Sequence, residues 1–200
     1  MPAAVLSFPM QDQPCSVLIC HLAQDGNDFT QLGETLKKQA DRMRWLPLSG
    51  ADDVSARFRM TLASDGFIIT AFSRSNGELV GFGGAALADT RRDEGNDWRL
   101  LDLPYEGLPV ALRQRFNKGD SHFWVLRDLV SLHERVGVGT AILATIIQRL
   151  RRTSQPAVLL ARTDCRYWSH SEHWLQNRGF SKIASTFNHD AVFERDLSPI

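Results

Sequence analysis

The spacing of apolar residues between positions 122 and 161 predicts a strand, a turn, a helix and a second strand. Residues 122–132 are largely apolar around the charged pair Arg127-Asp128, and residues 134–139 contain two glycines, as in a tight turn. The next segment has apolar residues at helical spacing, at Ala141, Ile142, Ile146 and Leu150. Residues 157–161 are continuously apolar, which is typical of a strand that is covered on both faces.

The N-terminal part of the chain predicts an extended lead-in, a strand and two helices. Residues 1–14 contain three prolines and show no period, whereas residues 16–22 are apolar enough for a first strand. The first helix begins near Phe29, and the second runs through Phe58 and Leu62. An aspartate precedes each helix as a candidate N-cap.

A β-hairpin is predicted between residues 67 and 87. Residues 67–72 are rich in β-branched and aromatic side chains, and residues 78–87 form the partner strand. Asn76-Gly77 indicates a type I′ turn, in which both central residues have positive φ. Glycine within a strand often marks a bulge or a close backbone approach, and the partner strand contains Gly81, Gly83 and Gly84.

The remaining segments complete the order of elements. Residues 89–120 are polar and irregular, with weak helical character at 110–116, and predict an insertion or a substrate-side loop. A last helix at 171–177 is stopped by Gly179. Two short strands follow, at 181–185 and 191–196.

Length and charge are those of one ordinary domain. A chain of 200 residues suits a single domain, 1–200. Lys and Arg number 23, and Asp and Glu also number 23, so no strong overall field attracts nucleic acid or an anionic membrane. This balance disfavours nucleic acid and membranes as partners.

Targeting and cysteine signals point to the cytoplasm. The apolar runs are too short to span a bilayer. Met1 to Pro9 has neither a positive segment nor a long apolar stretch, so we expect no signal peptide. Cys15, Cys20 and Cys165 lack metal-ligand spacing, which predicts reduced thiols and no metal site.

The glycine turn at Gly137-Val138-Gly139 carries the clearest chemical signal. A turn that opens a helix presents several backbone N–H groups, and the helix dipole adds partial positive charge there. Glycine permits the unusual backbone angles and the close approach that a pyrophosphate requires. The lysine of a Walker loop and the spacing of a dinucleotide-binding motif are both absent. The alternative is a plain tight turn between a strand and a helix.

Three segments of the chain resemble segments of the GNAT N-acetyltransferases, and they occur along the chain in the same order as in that family. Residues 130–143 resemble the acetyl-CoA signature of this family, which is a strand, then Gln/Arg-x-x-Gly-x-Gly/Ala, then a helix. Residues 79–84, Leu-Val-Gly-Phe-Gly-Gly, resemble the second strand of its hairpin. Residues 177–180, Asn-Arg-Gly-Phe, resemble its closing segment.

The chain departs from the family at two positions. Glu134 stands where Gln or Arg is usual, unless Arg135 takes that part after a one-residue shortening of the loop. Leu175 stands where many members place the tyrosine that protonates the leaving thiolate. A leucine cannot donate a proton, so the catalytic acid has to be sought elsewhere.

The resemblance implies an α/β (α+β) fold with a mixed, mostly antiparallel central sheet and flanking helices. Its middle strands, near 123–131 and 157–162, should run parallel and splay to admit acetyl-CoA. Backbone groups of Leu129 and Val130 would pair with the pantetheine arm like an added strand. The pyrophosphate would lie on N–H groups of Arg135, Val136, Gly137, Val138, Gly139 and Thr140.

Candidates for acid–base chemistry are Tyr167, His170 and Asp128. Tyr167 and His170 lie between the penultimate strand and the last helix, where the chain should pass near the thiol, and each has a plain reading as a packed aromatic or a loop histidine. Asp128 lies on the central strand near the expected acyl group and is a base candidate; a structural ion pair is the alternative.

Three functions fit these observations. The first is transfer of an acetyl group from acetyl-CoA to an amine by direct attack, with proximity supplying much of the rate. The second is a non-catalytic GNAT-like domain that binds CoA, or nothing, and acts as a regulator or an interaction module. The third is a relative with a different acyl donor or an acyl-transfer toxin that acts on aminoacyl-tRNA. The sequence identifies neither the acceptor nor the oligomeric state, and a homodimer is one option.

Overall fold

The computed structural model describes residues 18–22, 58–89, 110, 112–114, 122–131, 137–153, 157–164, 169–185 and 190–198. Seven strands and three helices of more than one turn lie within these residues. The strands are β1 (Leu18–Leu22), β2 (Phe67–Ser73), β3 (Leu79–Asp89), β4 (His122–Ser131), β5 (Val158–Asp164), β6 (Ser181–Ser185) and β7 (Asp190–Asp196). The helices are α1 (58–63), α2 (Val138–Leu150) and α3 (Ser169–Gln176), and residues 110 and 112–114 are also helical.

The strands form one mixed sheet in the order β1-β2-β3-β4-β5-β7-β6. β1 pairs antiparallel with β2, and β7 pairs antiparallel with both β5 and β6. β4 and β5 run parallel, with Trp124 opposite Leu159 and Val125 opposite Leu160, and both strands continue beyond these residues. The predicted fold class is therefore confirmed, including the parallel middle pair.

The predicted elements agree with the observed ones within a few residues wherever both can be compared. The second predicted helix is present as α1, and the segment at 110–116 has helical residues at 110 and 112–114. The lead-in at 1–14, the helix near Phe29 and most of 89–120 lie outside the described residues. Contacts divide the chain into two compact units, 1–84 with 128–148 and 85–127 with 149–200. The single domain stays a prediction.

In the first unit, the two faces of β3 carry different helices. Successive side chains of a strand point to opposite faces. Phe82 meets Phe58 of α1 edge to face, with ring centroids 5.3 Å apart. On the other face, a Cβ built on Gly81 would lie 3.0 Å from Cδ1 of Ile142 in α2. The same Cβ would lie 2.7 Å from the carbonyl oxygen of Val130, so the expected close backbone approach is confirmed at Gly81.

The β2–β3 turn differs from the predicted type I′ turn. Gly77 has φ +70°, but Asn76 is not among the described residues with positive φ. The N–H of Gly77 donates to the carbonyl oxygen of Ser73, and the N–H of Ser73 donates to that of Glu78, both at 2.8 Å. The loop is thus longer than two residues, and a longer loop needs the left-handed conformation only at its last position.

In the second unit, Gly179 ends α3 in a Schellman motif. Gly179 has φ +76°. Its N–H donates to the carbonyl oxygen of Gln176 at 3.0 Å, and the N–H of Phe180 donates to that of Leu175 at 3.2 Å. This pairing satisfies the last carbonyl groups of the helix. The predicted role of Gly179 as the helix stop is confirmed.

Candidate functional site

Asp128, within β4, has a left-handed backbone conformation, which is called the kink below. Asp128 has φ +41°, and Asp65 is the only other non-glycine residue with positive φ in the described part of the chain. An L-residue in this region costs on the order of 1–2 kcal/mol, although aspartate tolerates it better than most. Strained residues of this kind cluster at functional sites. The sequence placed Asp128 on this strand but gave no sign of the kink.

The turn into α2 has the backbone conformation that a glycine allows. Gly137 is exposed and has φ +78°. Its carbonyl oxygen accepts the first helical hydrogen bond, from the N–H of Ala141 at 3.0 Å, so Gly137 is the N-cap of α2. Gly139 instead belongs to the first turn of α2 and is not among the positive-φ residues, because ordinary helical angles suffice there.

The N-terminus of α2 is suited to an anion. The first four N–H groups of a helix have no acceptor within the helix itself, and at α2 this segment begins at Gly137. The first turn contains no acidic residue. Gly139 and Thr140 are half-buried, whereas Val138 is 2% exposed and anchors the turn. A diphosphate fits this end of the helix by charge and by donor chemistry.

Two predicted binding residues meet at one glycine of β3. A Cβ built on Gly81 would lie 2.7 Å from the carbonyl oxygen of Val130 and 2.7 Å from Cγ1 of Val138. A Cβ built on Gly83 would lie 2.8 Å from Cδ1 of Leu129. The end of β4 and the start of α2 are therefore both held against β3, a link that the three-glycine pattern indicated only in general terms.

The two described acid–base candidates, Asp128 and His170, belong to different compact units. Asp128 is half-buried with its Oδ2 shielded from solvent, and it belongs to the first unit. His170 is exposed and is the second residue of α3, in the second unit, rather than lying in the loop before the helix. Tyr167 lies outside the described residues, as do Arg135, Val136 and Glu134.

Leu175, at the position where the family often has tyrosine, is a core residue. Its side chain is 5% exposed, and its carbonyl oxygen accepts the hydrogen bond of the Schellman motif. The position is therefore structural in this chain.

Among the described residues, no group of His, Cys, Asp and Glu could hold a metal ion. No helix within the described ranges is both long and apolar enough to cross a membrane.

Several solved structures of acetyltransferases match this chain over most of its length. The chain matches an acetyltransferase of the GNAT family from Staphylococcus aureus Mu50 with a TM-score of 0.59 at 13% identity, covering 90% of this chain and 99% of that one. It matches aminoglycoside 6′-acetyltransferase type Ii with a TM-score of 0.58 at 15% identity, over 91% and 99% of the two chains. It matches Arabidopsis thaliana NAA60 in complex with acetyl-CoA with a TM-score of 0.57 at 12% identity, over 90% and 98%.

The likeness lies in the structure and not in the sequence. No family model matches the sequence, and a search of curated proteins found no match. The structural matches nevertheless span nearly the whole of both chains. This chain therefore has the fold of the GNAT acetyltransferases.

Proposed function

We propose that this protein is an N-acetyltransferase that transfers the acetyl group of acetyl-CoA to an amine. The observation that carries the proposal is the N-terminus of α2, where Gly137 with φ +78° precedes a first turn without acidic residues. Several solved structures with the same fold are acetyltransferases, and that of Arabidopsis NAA60 contains acetyl-CoA.

The pyrophosphate of CoA would bind at the turn from β4 into α2. The N–H groups of residues 135–140 would donate to its oxygens, and the dipole of α2 would add favourable charge. Gly137 is exposed, so a ligand can reach its backbone. The strand end and the helix start that would form the site are both packed against Gly81.

The pantetheine arm would pair with the backbone of β4 beyond the kink. Adjacent residues of a strand direct their backbone groups to opposite edges. The carbonyl oxygen of Val130 lies near Gly81 and so faces β3. This geometry favours Leu129 over Val130 as the residue whose backbone groups bind the arm.

The transfer needs no metal and no covalent enzyme intermediate. The amine nitrogen attacks the thioester carbonyl carbon, a C–N bond forms, and the C–S bond breaks to release CoA as a thiolate. The amine gives up one proton and the thiolate takes one up. Because the ordinary pKa of a thiol is about 8.5, the thiolate leaves without a strong requirement for an acid.

Asp128 is our candidate for the base that receives the amine proton. Its position at the kink holds a half-buried carboxylate next to the residues that would bind the arm. Tyr167 and His170 are the proposed proton donors to the thiolate. His170 is exposed near the start of α3, and an imidazole suits the role of an acid or of a base.

A second candidate function is CoA binding without catalysis. The observation in its favour is Leu175, a buried leucine at the position of the usual tyrosine. Calorimetric titration with acetyl-CoA and an assay of thiol release with a panel of amines separate the two functions. Binding with thiol release supports the enzyme, binding alone supports the second candidate, and no binding rejects both.

A further inference from the structure

The three glycines of β3 lie on both faces of the strand. Gly81 and Gly83 are on the face that α2 covers, since their missing Cβ atoms would point at Val138 and Ile142. Gly84 is on the opposite face, where its Cβ would lie 2.7 Å from the carbonyl oxygen of Phe67 and 3.5 Å from Cγ2 of Thr61. One strand therefore allows close approach to two different neighbours.

The space at Gly81 is too small for any side chain. A built Cβ would lie 2.7 Å from the Val130 carbonyl oxygen and 2.7 Å from Cγ1 of Val138, whereas ordinary contacts begin at 3.4 Å. Restoring an ordinary contact around a side chain at this position would move its neighbours by the difference, about 0.7 Å. Val138 is 2% exposed and Val130 is 5% exposed, so neither has free space behind it.

We propose that Gly81 is a positioning residue for the CoA-binding turn, and this inference rests on the proposed function. The absence of a Cβ lets the side chain of Val138 dock against β3, and this contact sets where the first N–H groups of α2 lie. The same glycine lets the Val130 carbonyl approach, which fixes the end of β4. Gly81 itself needs no contact with the ligand.

The effect on binding follows from the geometry of hydrogen bonds. N–H···O bonds have donor–acceptor distances of about 2.7–3.2 Å and weaken quickly outside this range. A displacement of the turn by up to about 0.7 Å moves several N–H groups together, because they belong to the same helix end. The loss of affinity is therefore larger than the loss of a single bond.

Gly83 lies against the same part of β4 and α2, but the atom nearest to its missing Cβ is the end of a side chain. Its built Cβ would lie 2.8 Å from Cδ1 of Leu129, 3.1 Å from Cγ2 of Ile142 and 3.3 Å from the Cα of Leu129. The nearest atom is the end of a flexible side chain, which can rotate away. An alanine here should disturb the same region less than an alanine at Gly81.

The test compares Gly81→Ala with Gly84→Ala, a matched control that meets an equally close backbone oxygen on the opposite face. The affinity for CoA is measured by calorimetric titration, and the melting temperature of the ligand-free protein by circular dichroism. Both variants should melt below the wild type. Gly81→Ala should raise the Kd for CoA at least about tenfold. Gly84→Ala should leave it within about twofold, because the atoms nearest to the added methyl group belong to β2 and α1 and not to the proposed site.

The inference is overturned if Gly81→Ala binds CoA like the wild type, or if Gly84→Ala loses as much affinity. If Gly81→Ala does not fold, Gly83→Ala replaces it and should raise the Kd by more than Gly84→Ala does; equal values overturn the inference. A wild-type protein that does not bind CoA rejects the proposed function instead, so the two failures are distinguishable.

Discussion

The guanidinium of Arg195 donates a hydrogen bond from Nη1 to the carbonyl oxygen of Arg178. A residue of β7 thereby holds the segment that ends α3. The same guanidinium lies 5.8 Å from the centre of the Phe180 ring. Burial lowers the pKa of Arg195 below its ordinary value, and repulsion from Arg151 adds to this effect. The charge is tolerated because it satisfies a carbonyl group at the helix end.

Replacing Arg195 by methionine should destabilise the protein. The Arg195→Met variant keeps an apolar stem near Phe180 but removes the charged donor, and such bonds contribute about 1.5–3 kcal/mol. Urea denaturation measures the change. Arg151→Met is the control, since it removes the same charge and relieves repulsion with Arg195, and it should change stability by less than about 0.5 kcal/mol. Equal stability of Arg195→Met and the wild type would show that this bond is dispensable.

The carboxyl group of Asp196 should titrate below its ordinary pKa. The backbone N–H of Ser198 donates to its Oδ1 at 2.8 Å, and this bond holds the pKa of Asp196 below the ordinary 3.8. Because the folded-state pKa is lowered, the bond stabilises the fold fully above the ordinary pKa and stops doing so as the pH falls through the folded-state pKa.

An NMR titration of the Asp196 carboxyl carbon measures this shift. The expected midpoint lies below 3.8 in the wild type. Ser198→Pro removes the N–H donor and the hydroxyl group, so the midpoint should move back toward the ordinary value in that variant. A midpoint at or above the ordinary value in the wild type would contradict the role of Ser198.

Asp128→Asn should slow acetyl transfer without weakening CoA binding. Asparagine has the same shape and also tolerates positive φ, so the kink should survive. Loss of a general base reduces the rate by about 10²–10⁴-fold. Thiol release with the best amine of the panel measures the rate, and calorimetry measures the Kd for CoA. An unchanged rate removes Asp128 from the mechanism, and a weakened affinity assigns it a structural role instead.

Local patterns were enough to predict most of the fold. The apolar residues of α2, Ala141, Ile142, Ile146 and Leu150, are all buried, as their spacing indicated. Gly179 ends the last helix because only a residue that accepts positive φ closes a Schellman motif without strain. These features depend on neighbours in sequence, so a single sequence contains them.

Features that depend on tertiary contacts were missed. The bond between Arg195 and Arg178 joins residues far apart in the chain, and neither residue type indicates its partner. The kink at Asp128 leaves no mark in the pattern of apolar residues. The type I′ prediction at Asn76-Gly77 was wrong because the pairing of Ser73 with Glu78 lengthens the loop.

The central claim is that the turn at Gly137 binds the pyrophosphate of CoA. Gly137→Asp places a carboxylate there and also strains a residue with φ +78°. Gly77→Asp is the matched control, because Gly77 has φ +70° and its Cβ would meet nothing within 4 Å. Both variants therefore carry similar backbone strain, and only one carries a charge at the proposed site.

The most direct measurement is the shift in melting temperature that saturating acetyl-CoA produces in these three proteins. A ligand that binds only the folded state raises the melting temperature, and the shift grows with the logarithm of the ligand concentration divided by its Kd. The wild type and Gly77→Asp should both be stabilised by acetyl-CoA, and Gly137→Asp should show no shift. A wild type that does not respond, or a Gly137→Asp variant that responds like the wild type, would contradict the claim.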